Sequence, residues 1–439
     1  MANAPPIKPK ERDAILQSLR AGVVPRMGLQ HIQVGRSREI EALLTDLERI
    51  EAGGSSMRFI IGEYGSGKTF FLTLIRAIAL QKKMVTAHGD LTPERRLQAS
   101  GGQARSLYCE LMRNLSTRAK PEGGAIASVV ERFVTSAMTE AKAQETTPAA
   151  IIQDRLAYLS EWVGGYDFAQ VVEAYWRGHD TGDDGLKSHA IRWLRGEFST
   201  KTEARQALGV RTIVEDANIY DQIKLMAQLI KLAGYRGCLI CLDELVNLYK
   251  LSNPQARSGN YEQILRILND TLQGNGSGLG FLLGGTPDFL RDKRRGLYSY
   301  PALQTRLGLN PFASQGLVDY SGPVLELHNL QPEDLFILLT KIQQVFVHGQ
   351  ARADLLQAKD IQDFMAHCSQ RIGDAYFRTP RNTIMAFINL LAILQQNPQI
   401  QIHQLIAQQD IGILAEATHS AAPSPRSATT ADEFSTFEL

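Results

Sequence analysis

The segment that most constrains the fold is Phe59 to Arg76, FIIGEYGSGKTFFLTLIR. Its residues Gly62-Glu63-Tyr64-Gly65-Ser66-Gly67-Lys68-Thr69 satisfy G-x-x-x-x-G-K-[ST] at every fixed position. The flanks supply the context such a match needs. Arg58-Phe59-Ile60-Ile61 reads as a short buried strand, and Phe71, Leu74, Ile75 and Ile78 recur at helical spacing. Strand, glycine loop and helix together let backbone N–H groups curl around phosphate oxygens, with the positive end of the helix behind them. The candidate cradle runs from Gly62 through Phe70; Lys68 is placed to reach β- and γ-phosphates and Thr69 to ligate Mg2+. A ligand-free glycine turn explains the loop but leaves its flanks unexplained.

The second feature is CLICLDE, five apolar positions followed by Asp243 and Glu244. A buried strand that ends in an acid puts that carboxylate where it can hold magnesium beside the loop threonine. Glu244, one residue on, is placed to polarise a water for attack on a γ-phosphate. The simpler alternative is two acids at the start of the helix that follows. With both features present, the expected activity is hydrolysis of ATP to ADP and phosphate, slow or stimulated by a partner.

Composition narrows the partners. The 47 basic and 46 acidic side chains nearly cancel, so no global field draws in nucleic acid or a membrane, although a local basic patch is compatible with that balance. No apolar run approaches the roughly 20 residues that span a bilayer, and the N-terminus lacks the apolar core of a signal peptide. Four cysteines fit a reducing cytoplasm rather than a disulfide scaffold. Cys238 and Cys241 form C-x-x-C inside an apolar strand, where that spacing sends the thiols to opposite faces and suits neither zinc nor redox chemistry.

Along the chain, residues 1–101 carry an N-terminal helix, a helix from Arg38 to Ile50, the phosphate loop and a second strand near KMVTAHGDL. Residues 102–234 have helical periodicity almost throughout and read as a large helical insertion. His179, Asp180, Asp183 and Asp184 within it read as a turn and helix start rather than a metal site. Residues 235–330 resume the strands, at GCLICLDE, SGLGFLLGG and GPVLELHNL; residues 331–415 are helical again, and 416–439 form a small, polar tail expected to be disordered. The expected fold class is α/β: a three-layer P-loop core with a helical insertion and a C-terminal helical lid.

The order of phosphate loop, LICLDE, FLLGGTPD and YPALQTRL resembles the AAA+ class of P-loop ATPases. The branch it most resembles contains origin-recognition proteins, helicase loaders and STAND switches. That resemblance implies Thr286 as the sensor-one residue, Arg306 as an arginine finger completing a neighbouring subunit's site, and Arg381 as the lid arginine called sensor two. It also implies that Val34, Gly35 and Arg36, in HIQVGRSREIEAL, lie against adenine. More narrowly, LRAGVVPRMGL, VGRSRE, the insertion with WLRGE, and CLDELVNLYK resemble the BrxD-like ATP-binding proteins of BREX-type phage-defence systems. The implied partners are a helicase or other defence protein, DNA, and further copies of the chain in the ATP state. The alternatives are a STAND-like assembly switch with slow turnover and a DNA-dependent loader outside defence. Two departures stand out. Asp243 follows Lys68 by 175 positions, which makes the insertion large, and no DNA-reading winged-helix pattern follows position 412.

Overall fold

Five apolar runs make the sheet: β1 (Ser56–Gly62), β2 (Val85–Asp90), β3 (Cys238–Asp243), β4 (Leu279–Gly285) and β5 (Val324–Leu327). The computed structural model describes residues 7–274, 277–313, 318–349, 355–372 and 380–408. The strands are all parallel, in the order β2-β3-β4-β1-β5. Parallel strands carry helices on both faces, which is why β3, β4 and the Phe59-Ile60-Ile61 stretch of β1 are apolar at successive positions instead of alternating. Leu239 and Cys241 of β3 face one side with Ile60, Leu282 and Leu325; Cys238, Ile240 and Leu242 face the other with Phe59, Phe281 and Leu283. The two thiols of the C-x-x-C thus sit on opposite faces, each buried and shifted up to about 12 by that burial.

The helices are α1 (Pro9–Arg20), α2 (Ser37–Glu51), α3 (Lys68–Gln81), α4 (Gln103–Arg113), α5 (Ile126–Ala143), α6 (Pro148–Ala157), α7 (Gly165–Thr181), α8 (Asp184–Leu194), α9 (Lys201–Leu208) and α10 (Ile219–Leu232), then α11 (Val246–Tyr249) and α12 (Pro254–Leu272). They continue with α13 (Pro287–Arg291), α14 (Pro301–Leu307), α15 (Pro332–Val347), α16 (Ala358–Ile372), α17 (Pro380–Gln396) and α18 (Ile402–Gln408). One face of the sheet is covered by α2 and α3. The other shares a continuous apolar core with the helices between β2 and β3, in which Tyr108, Phe133, Phe168 and Trp193 are fully buried. At about 25 cal/mol per Å² of apolar surface, that shared core ties the helices to the sheet as one cooperative body. Asp183 caps α8 by accepting from Leu186 N at 3.0 Å, and Asp184 pairs with Lys187 at 2.9 Å, so both acids act locally at a helix start.

A separate apolar cluster joins α15, α16 and α17 with Ile15 of α1 and Ile32. The N-terminal helix thus packs with the C-terminal helices. Arg12 Nη2 donates to Phe346 O at 2.8 Å and Lys341 Nζ to Gln33 O at 2.5 Å. Under the sheet, Arg58 of β1 is buried against Asp46 of α2, with Nε to Oδ2 at 2.5 Å. Among the described residues no helix is long and apolar enough to cross a membrane. The tail read as disordered, 416–439, lies outside the described residues.

Candidate functional site

The phosphate loop leaves the C-terminal end of β1, which lies between β4 and β5, and enters α3. Ligand crevices in open parallel sheets form at such strand ends. Gly65 and Gly67 take φ of 83° and 85°, the left-handed region a side chain resists. Gly62 is needed for space: a Cβ there would stand 2.3 Å from Ser66 Oγ and 2.8 Å from Leu327 O. Ser66 Oγ is itself buried without a hydrogen-bond partner. Lys68 Nζ folds back over the loop and donates to Gly62 O and Glu63 O, both at 2.9 Å. Burial lowers its pKa, against the opposing charges of Asp243, Glu244 and Glu63. Tyr64 is exposed at the tip.

Asp243 is buried at the end of β3. Its Oδ2 accepts from Thr69 Oγ1 at 2.7 Å and its Oδ1 from Glu244 N at 2.9 Å. Gly284 on β4 makes room for that carboxylate, since a Cβ there would lie 2.3 Å from Asp243 Oδ1. Glu244 adopts φ 58°, a strained backbone for a non-glycine residue, which turns its side chain onto the cleft. Partial burial of its carboxyl, then the charges of Asp243 and Asp90, raise its pKa, while Lys68 pulls the other way. The residue keeps solvent contact, so water screens these interactions.

Asp90 stands beside Asp243 in the strand register. Sequence reasoning missed it, though an acid ending the second strand read from KMVTAHGDL was a usable signal.

These groups line one wall of a cleft of about 480 Å³, in the usual range for ligand sites. The opposite walls are apolar and come from two other parts of the chain: Val23, Val24 and Val34 near the N-terminus, and Leu338, Ile342 and Ile384 from the C-terminal helices. Only Val34 of these was anticipated. Arg381 also lines the cleft and packs against Gly22, where a Cβ would meet its Nε at 2.6 Å. Arg36, left-handed at φ 63°, ties the walls together: its guanidinium donates to Ser66 O at 3.3 Å and to His328 O, and lies 3.6 Å from Glu39. Gly35 precedes it at φ 62°, facing Asp334 of α15. Phe70 packs toward the cluster of C-terminal helices.

Two sequence candidates lie elsewhere. Thr286 caps α13, its Oγ1 accepting from Phe289 N at 3.4 Å, and Arg306 is exposed with Nη1 donating to Ala302 O at 3.0 Å; neither lines the cleft.

The donor set fits a magnesium–nucleotide pair. The loop offers N–H groups and an unpartnered hydroxyl to phosphate oxygens, while Thr69 and Asp243 present hard oxygen donors of the kind magnesium takes. A comparison with curated proteins finds no match. The family model described as "BREX system ATP-binding protein BrxC/D" matches residues 7–410, nearly the whole chain. With a P-loop-compatible parallel sheet and a phosphate-type loop at its centre, the chain belongs to the BREX system ATP-binding protein BrxC/D family.

Proposed function

We propose that this chain binds and hydrolyses ATP in the cleft and uses the nucleotide state to remodel or assemble a partner complex in antiphage defence. The observation that carries this is the meeting of Lys68, Thr69, Asp243 and Glu244 at one cleft, with Thr69 Oγ1 2.7 Å from Asp243 Oδ2. The adenine lies among Val23, Val24 and Val34, and the phosphates lie on the loop. Lys68 leaves its two backbone acceptors for β- and γ-phosphate oxygens, a charge-assisted contact in place of a neutral one. Thr69 and Asp243 hold magnesium. The metal, when bound, neutralises charge on the β- and γ-phosphate oxygens. Glu244 accepts the proton of the attacking water, and its raised pKa makes it a better base than an ordinary glutamate while requiring a higher pH to stay ionised.

Val34 of one apolar wall and Leu338, Ile342 and Ile384 of the other belong to one cluster with α1, α15, α16 and α17, so a ligand that fills the cleft pulls on that body as a unit. Arg381 is the residue on it placed to sense phosphate. Arg306, outside the cleft, acts on ATP only from a neighbouring copy, and Thr286 acts by shaping the turn after β4. On this reading 331–415 acts as a lid and 102–234 is an insertion of the ATPase core, in a soluble cytoplasmic protein. Glu244→Gln tests the chemistry. It keeps ATP affinity within about threefold and lowers turnover by about 10²–10⁴-fold; turnover at the wild-type rate would refute the assignment of Glu244 as base.

A further inference from the structure

A second charged surface lies at the β2 edge of the sheet. β2 is the edge strand, and His88 stands opposite Cys241 in register, which puts it on the α3 face. The chain after α4 returns along that edge: Thr86 N donates to Ser116 O at 3.0 Å, Ser116 N to Thr86 O at 2.7 Å, and Asn114 Nδ2 to His88 O at 3.0 Å. It then closes a tight turn, with Lys120 N donating to Thr117 O at 3.0 Å, and this turn holds Arg118 and Lys120 in solvent. Arg26, from the segment before α2, reaches the same loop through Glu122, 3.2 Å away. Arg76 on α3 faces both Arg26 and Glu122 and is partly buried.

The charges at this edge do not balance. Among the described residues the side chains of Arg76, Arg118 and Lys120 have no hydrogen-bond or ion-pair partner, and His88 Nδ1 is buried and unpartnered. The carboxylate that faces Arg76, Glu122, is already engaged by Arg26. A partly desolvated guanidinium that shares its one facing carboxylate with a second arginine is under-compensated, and an anion that enters from solvent relieves it. Burial, then the charges of Arg76 and Arg26, hold His88 down to about 4, so its ring is neutral at physiological pH and offers a hydrogen bond rather than a charge.

We propose that Arg26, Arg76, Arg118 and Lys120, with His88 close to the first two, form a contact surface for the phosphate backbone of nucleic acid. Four cations from three chain segments converge on one exposed edge of a chain whose net charge is only +1, so the field is local. Of the exposed large apolar side chains, only Val23 comes from these segments among the described residues. A protein partner needs an aromatic or aliphatic anchor that this edge lacks, whereas backbone recognition of nucleic acid needs cations alone. The surface also abuts the cleft. Arg26 follows the cleft-lining Val23-Val24-Pro25, and Arg76 lies on the helix that Lys68 begins. Its existence is independent of the nucleotide reading.

The test is anisotropy of labelled duplex DNA, single-stranded DNA and RNA with the full chain over a salt series. ATP affinity and turnover of each variant are measured separately without nucleic acid. Four cations predict a slope of log K against log salt of about −3 to −4 for duplex. Arg118→Glu with Lys120→Glu, in an exposed turn, lowers affinity at least about tenfold and flattens the slope by about 2; Arg76→Gln flattens it by about 1. Lys142→Glu, on the exposed face of α5, leaves binding within about twofold, and all these variants keep wild-type ATP affinity. Three results overturn the proposal: no nucleic-acid binding by the wild type at low salt, binding indifferent to the folded Arg118/Lys120 and Arg76 variants, or charge reversal that instead disperses an assembly of copies in DNA-free solution. Loss of ATP binding in the wild type would refute the nucleotide reading and leave this result standing.

Discussion

Gly284→Ala places one methyl group against Asp243 without replacing any residue proposed to meet the nucleotide or its metal. Gly284 sits on β4 beside Asp243, and its added Cβ would be 2.3 Å from Asp243 Oδ1, 3.1 Å from Asp243 Cγ and 3.0 Å from Leu72 Cδ1. A normal contact needs more than about 3 Å, so the carboxylate moves by about 1 Å, because the surrounding core is close-packed and cannot yield. That movement breaks the 2.7 Å bond from Thr69 Oγ1 to Asp243 Oδ2. A hydrogen bond to a charged group is worth about 1.5–3 kcal/mol, and a displacement of about 1 Å at a reacting centre costs about 10²-fold in rate. The expected result is turnover down about 10²-fold, with ATP affinity in the absence of magnesium within about threefold of wild type. Overpacking adds about 1–3 kcal/mol of destabilisation, read as a lower urea midpoint. Coupled-enzyme turnover, nucleotide titration with and without magnesium, and denaturation together separate these effects. Wild-type turnover in a folded Gly284→Ala protein would refute the placement of Asp243 at the reacting centre.

Two other outcomes follow from the geometry. Arg306→Ala leaves the isolated chain's stability within about 0.5 kcal/mol, since its contact is to an exposed carbonyl; it leaves ATP affinity unchanged and lowers turnover at least about tenfold at concentrations where copies assemble, whereas equal loss in dilute monomer would place its effect within one chain. His88 titrates at about 4 when folded against 6.5 when unfolded, so the unfolded chain binds more protons between those values. Its contribution to stability is complete above 6.5 and is lost as pH falls toward about 4, amounting to about 2 kcal/mol between pH 7.5 and pH 5. His88→Leu therefore loses about 2 kcal/mol less than wild type over that range in urea denaturation, and parallel losses in the two proteins would refute the shift.

β1, β3 and β4 were legible because each carries a short run of consecutive apolar residues next to glycines or charges, the mark a parallel sheet buried on both faces leaves. The gathering of Lys68, Thr69, Asp243 and Glu244 followed from two local motifs whose physics requires them to be neighbours. What escaped the sequence is what depends on distant pairing. Nothing in LGFLLGG says that Gly284 clears space for Asp243, because that requires knowing that β4 pairs with β3. Nothing in the N-terminal helix says that Ile15 packs with α15 and α17 rather than with the sheet, since an apolar stripe does not name its partner. Thr286 shows the same limit: a threonine before Pro287 suits a helix cap as well as a sensor, and its observed bond is the cap. Arg76 carries no motif of its own, and its nearness to His88 depends on how α3 packs against β2.

The central claim is that Lys68 exchanges its two loop carbonyls for the phosphates of ATP. Calorimetric titration of magnesium–ATP into the full-length wild type and Lys68→Ala tests it most directly. One saturable site in the wild type, weakened about 10–100-fold or more by the substitution while the urea midpoint stays put, is the predicted result. Equal affinity in the two proteins, or no binding by the wild type, would contradict it.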